Sequence, residues 1–213
     1  MRSYFILLCI ISIGVLAKTD VQLIKNISND NERKLLEKYS TIESAWFELH
    51  CMQLANKMKF KHILQCKMID SPYINAYVFA SGHVYFSLAM MRQINNKHQW
   101  ASILAHENAH LELKHYLKTL KKIQKPGIFF PKAKINKLLK KHEQQADDWS
   151  RQRLLQYGFD PHQIYFFLQR VAKISATNKT SNNLNLIKRI KHNKTKELIN
   201  KELTKYMHNP NWW

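Results

Sequence analysis

The chain contains little that bends or breaks a backbone. Four glycines and five prolines in 213 residues are too few for the turns of a β-sandwich or barrel, and favour long helices. Acidic residues are scarce too, 15 against 34 Lys and Arg, for a formal charge of +19. Long hydrophobic runs are nearly missing. The one between Tyr4 and Ala17 falls short of the about 20 residues that a membrane helix needs. Of three cysteines, Cys9 lies inside that run behind Leu8, a poor context for lipoprotein cleavage. What is present is 45% hydrophobic residues, enough for a packed core, so wholesale disorder is excluded. The length suits one domain with at most a short appendage.

The excess of positive charge invites a nucleic-acid reading, and the N-terminus weighs against it. Arg2 is the only charge before Lys18, and Val15-Leu16-Ala17 ends the apolar stretch as a signal-peptidase site would. Residues 1–17 are read as a secretory signal peptide and 18–213 as a single domain. An uncleaved signal would instead tether the chain to a membrane. Export predicts a periplasmic or secreted protein, with no nucleic acid expected as a partner. It also places Cys51 and Cys66 in an oxidising compartment. A helix ending near Lys57 and a strand beginning near His62 would set them at similar distances either side of a turn. A Cys51–Cys66 disulfide and two buried thiols are the alternatives.

Apolar spacing predicts a helix over 29–57, then strands at 62–69, 74–80 and 83–88 around Ser81-Gly82. A short helix over 88–94 precedes a long one from His98 to about Ile123. Pro126-Gly127 and Pro131 break the pattern, and helix resumes over 133–157 with Gly158 as its C-cap. Asp160-Pro161 opens another helix. After a polar loop at 178–183, a last helix runs to about Tyr206. Helix, a small group of strands, then helices give an α+β fold, mainly helical.

The informative segment is His106-Glu107-Asn108-Ala109-His110. Histidines at i and i+4 on one helix face can both ligate a metal, and the intervening glutamate can take a proton from a metal-bound water. A catalytic zinc needs a third protein ligand. The extended metzincin pattern would require Gly and His where the chain has Leu113 and Tyr116. His115 falls five residues after His110 and would point to another face. A second helix offers Glu143-Gln144-Gln145-Ala146-Asp147. Glu143 and Asp147 share a face, so Glu143 can be the third ligand while Asp147 accepts the outward N–H of a ligating histidine, His106. An incidental pair of histidines and an ordinary exposed acidic face are the bland alternatives.

These two motifs resemble those of the zinc metallopeptidase family that includes HtpX, the CAAX prenyl endopeptidases and the periplasmic BepA and YggG proteins. Asn75-Ala76-Tyr77, the Ser81–Ser87 segment and Gly158-Phe159-Asp160-Pro161 are similar to further segments of that family, so the resemblance covers about residues 40–200. It implies a zincin-like domain with a small sheet before the motif helix, one Zn2+ per chain and endopeptidase activity. Its substrates would be unfolded or misassembled envelope proteins. The family's usual His-Pro-x-x-x-x-Arg segment is matched only at His192, with Asn193 and Leu198 in place of the Pro and Arg. His192 is a candidate to approach the metal or stabilise an oxyanion, or else a surface histidine of a basic helix.

Zinc held by His106, His110 and Glu143 would acidify a water, and Glu107 would act as general base. The strand at Val84-Tyr85-Phe86 is expected to offer an edge to an extended peptide. Ten lysines and no acidic residue lie in 114–141. With Ile128-Phe129-Phe130 and Trp212-Trp213 they raise an anionic membrane surface as a partner, against a merely solvated helical hairpin. Two competing functions are a catalytically silent chaperone or binding module of the same fold, and a cationic membrane-surface-binding protein.

Overall fold

The computed structural model describes residues 22–23, 25–123, 131–177 and 188–193. The expected signal peptide at 1–17, the Ile128-Phe129-Phe130 segment, the 178–183 loop and Trp212-Trp213 lie outside them. The fold is α+β and mainly helical, with a small mixed sheet ahead of the motif helix.

Helix α1 spans 25–38. The single helix expected over 29–57 is two, because Thr41–Ile42 forms a short strand, β1. β-branched residues fit a pleated backbone better than a helix, and this pair gains a ladder with β2. Ser44 then caps α2, Ala45–Lys57, accepting the Phe47 N–H. β2 (Gln65–Ile69), β3 (Ala76–Val78) and β4 (His83–Ser87) follow. The sheet order is β1-β2-β4-β3, with β2 and β4 parallel and the other pairs antiparallel. β4 is therefore interior and β3 is an edge, which corrects the expectation that Val84-Tyr85-Phe86 would offer the edge. At the β3–β4 turn Gly82 has φ +84°, and a Cβ there would lie 2.5 Å from His62 O. Only glycine fits that close approach.

The remaining helices are α3 (Leu88–Met91), α4 (Lys97–Glu112), α5 (His115–Ile123), α6 (Lys132–Gln156), α7 (Gln163–Thr177) and α8 (188–193). Asn96 caps α4 through the Gln99 N–H. The helix expected over 98–123 breaks at Leu113-Lys114, where Lys114 adopts φ +53°. Gly158, at φ +74° just past Tyr157, ends α6.

α4 is the central element, buried almost throughout from Gln99 to Ala109. Ala101, Ala105 and Ala109 are fully buried, and their small side chains let neighbouring elements come close. Phe47 joins α2 to both the sheet and α4, with its ring stacked on Trp100 and edge-on to Phe86. Cys51 and Cys66 form a disulfide that ties α2 to β2, so the bridge, not the pair of thiols, is found. α1 is held by a polar cluster. Buried Glu32 accepts hydrogen bonds from Ser81 Oγ (2.8 Å) and Tyr85 OH (2.8 Å), and pairs with His83 Nδ1 (2.6 Å). Among the described residues, no helix is long and apolar enough to cross a membrane.

Candidate metal centre and active-site cavity

The site forms where α4 lies against α6. Residues four apart lie on one helix face, so α4 presents His106 and His110 together, and α6 presents Glu143 and Asp147. His106 Nε2 and His110 Nε2 lie 3.2 Å apart. Glu143 reaches both, with its carboxylate oxygens 3.5 Å from each Nε2. One ligand atom from each of the three residues falls within 4.8 Å of the others. Two imidazoles and a carboxylate on one point suit a zinc ion, which takes three protein ligands at a catalytic site and keeps a fourth position open.

Electrostatics prepares these groups unequally. Burial, the charge of His106 and other neighbouring cations lower His110 to about 3, leaving it a neutral donor. Burial opposes ionisation of Glu143, but the hydrogen bond and charge of His106, together with Arg189, outweigh it and hold the carboxyl at about 2. For His106, burial and Arg189 disfavour charge. The hydrogen bonds to Asp147 and Glu143 overcome both and raise it to about 9. Burial, reinforced by Glu143, pushes Glu107 up to about 7 against the pull of His106 and Arg189. A carboxyl poised near neutrality is matched to taking up and releasing a proton.

Around this cluster lies a cavity of about 500 Å³, with Glu107 and Arg189 on its wall. On the other side it is bounded by the edge strand, through Ala76 and Val78, and by Ser28 and Asn31 of α1. The bonds Ser87 N–H to Asn75 O and Phe79 N–H to His83 O bind alternate residues of this segment to β4. The main-chain groups of Ala76 and Val78 consequently point away from β4.

Asp147 is buried beside His106, with Oδ1 3.0 Å from His106 Nδ1. Arg189 of α8, which sequence reasoning did not single out, clamps the same carboxylate from Nη2 (2.8 Å) and Nε (3.1 Å). Its Nη1 lies 3.3 Å from Glu143. Asn193 donates to Asp147 (3.2 Å) and accepts from buried Arg151 (2.5 Å). His192, expected to approach the metal or an oxyanion, faces elsewhere: its Nε2 lies 2.9 Å from Asp148 Oδ1. One turn of helix separates Arg189 from Asn193, so these two share the inward face of α8 and His192 is rotated off it. The i, i+4 spacing of Arg189 and Asn193 was the available signal, masked by the many basic residues around it.

His115 was expected to point away from His110. The break at Lys114 returns it, and it is buried with Nδ1 3.1 Å from His110 Nδ1. Its ring stacks on buried His142, with centroids 4.2 Å apart and planes 5° apart.

The sequence model of peptidase family M48 matches residues 42–130, which include His106, Glu107 and His110 and stop short of Glu143. The β-barrel assembly-enhancing protease of Yersinia pestis is 27% identical over 133 residues, covering 49% of this chain and 27% of that protein. The protein of the same name in Escherichia coli (strain K12) is 26% identical over 132 residues, with the same coverage. The chain thus spans about a quarter of the length of these curated relatives. Over residues 42–130, which carry the motif helix that α6 faces with Glu143, the chain is similar to peptidase family M48.

Proposed function

We propose that this protein is an exported zinc-dependent endopeptidase that hydrolyses peptide bonds in unfolded or misassembled envelope proteins. The observation that carries the reading is the convergence of His106, His110 and Glu143 beside Glu107 on the wall of one cavity. These three residues would hold one zinc ion per chain. A bound zinc supplies a water acidic enough to lose its proton near neutrality and a positive charge opposite a developing oxyanion. Glu107 takes that proton and passes it to the departing amine. Asp147 holds His106 by its outer nitrogen, and Arg189 fixes Asp147 and keeps Glu143 ionised.

The edge strand β3 gives the substrate its track. An extended peptide laid along Ala76 and Val78 gains main-chain hydrogen bonds whatever its sequence, which suits a protease of unfolded chains. The Cys51–Cys66 disulfide supports export to an oxidising compartment. The matched relatives are named for β-barrel assembly, which supports envelope proteins as the substrate class. Exposed Lys118, Lys122, Lys134 and Lys137 would draw the enzyme to an anionic membrane surface.

The test is cleavage of an unfolded casein-type substrate by the full chain and by Glu107→Gln. Wild type is expected to cleave, and the variant to lose at least about 100-fold in rate while retaining zinc. Equal activity in the two would remove the enzyme assignment in favour of a silent binding module. Wild type purified without near-stoichiometric metal would remove the zinc.

A further inference from the structure

We infer that His115 is a positioning residue for His110, an imidazole counterpart to the Asp147 carboxylate behind His106. The inference rests on the zinc-site reading above.

The two nitrogens of the His110 ring face opposite ways. Nε2 faces the ligand cluster, 3.2 Å from His106 Nε2 and 3.5 Å from Glu143. Nδ1 faces His115 Nδ1 at 3.1 Å. An imidazole that gives a metal its Nε2 lone pair carries its proton on Nδ1, and the partner of that proton sets the tautomer and ring direction. The His110 Nδ1–H therefore donates to His115 Nδ1, which must be bare, leaving the His115 proton on Nε2. The rings meet edge to face, with centroids 4.9 Å apart and planes 76° apart. His115 is fixed from behind by the flat stack on His142.

This contact exists only because the helix is interrupted. On an unbroken helix, five residues advance about 500°, which would put His115 roughly 140° round from His110. Lys114, at φ +53°, sits in the left-handed region that non-glycine residues seldom adopt. It redirects the chain so that His115 opens α5 facing back into the site. His115 is itself outside the group of converging donors, because its near nitrogen meets the outer nitrogen of His110.

The test uses the full chain and measures zinc affinity by competition with a chelator. His115→Phe keeps an aromatic ring against His142 and removes the acceptor, and is expected to weaken zinc about 10- to 100-fold. His115→Gln, which restores an acceptor oxygen, is expected to recover most of that loss. Phe-variant affinity within about twofold of wild type would overturn the inference and leave a packing role. Nitrogen NMR of the zinc-loaded wild type gives an answer independent of any variant's folding. Protons on His110 Nδ1 and His115 Nε2 support the assignment, and a proton on His115 Nδ1 overturns it. Failure of wild type to bind zinc would instead overturn the underlying zinc reading.

Discussion

The walls behind the two histidines of α4 differ in kind. Behind His106 stand charges: the Asp147 carboxylate, clamped by Arg189 and touched by Asn193, which in turn binds Arg151. Behind His110 stand neutral rings: His115 stacked on His142, with Thr119 Oγ1 3.3 Å from His142 Nδ1. Burial, the neighbouring His142 and Lys118 lower His115 to about 4, so it carries no charge at neutral pH. The charged wall is assembled from α6 and α8, whereas the neutral wall comes from α5 and α6. A carboxylate makes the imidazole it touches more basic, and a neutral ring polarises its neighbour far less. Two candidate ligands one helical turn apart are thereby given different basicities by the elements packed behind them.

Breaking the charged wall is expected to have the largest effect. Asp147→Ala leaves the Arg189 guanidinium and the Asn193 amide facing each other across a buried gap. Removing one partner of a buried ion pair costs about 3–5 kcal/mol, and loss of the outer partner of His106 weakens zinc about 10- to 100-fold. Thermal unfolding of the metal-free variant and chelator competition measure the two losses separately. Unchanged stability would mean that Arg189 finds another partner and that the charged wall is not a structural unit.

How much of this was legible in the sequence follows from where the signal sits. His106 and His110, and likewise Glu143 and Asp147, are pairs four residues apart within single helices, so helix geometry alone brings each pair to one face, and Glu107 directly follows His106. The contacts from α8 depend on how a separate helix docks, and 42 residues separate Arg189 from Asp147. The expectation for His115 failed at one backbone angle, since nothing in the word Leu-Lys-His announces that Lys114 turns left-handed. Strand order carried no local mark either. β4 lies between β2 and β3 and is buried from Val84 to Ser87, yet its sequence is no more apolar than the Ala-Tyr-Val of β3.

Of the two candidate ligands, only His106 holds a proton that a metal would have to displace. His106, raised to about 9, is charged at pH 7 in metal-free protein, whereas His110, lowered to about 3, is not. Zinc uptake at pH 7 should therefore release about one proton from the ligand set, and affinity should fall about tenfold for each pH unit below 9. Calorimetry in buffers of different ionisation enthalpy counts the protons. A count near two would mean that both walls polarise alike, and a count near zero that Asp147 does not hold His106 charged.

The smallest effect is expected at the far side of the neutral wall. Thr119→Val keeps the side-chain shape and removes the hydroxyl 3.3 Å from His142 Nδ1. A single neutral hydrogen bond contributes about 1 kcal/mol, and this long one should contribute less. His142 would stay stacked on His115 by ring contact, which the hydroxyl does not supply, so zinc affinity should remain within about threefold of wild type. The same measurements made on Asp147→Ala give the reference. A Thr119→Val loss approaching that of Asp147→Ala would mean that the neutral rings form a network as cooperative as the charged one, and that the asymmetry between the walls is one of chemistry without a difference in strength.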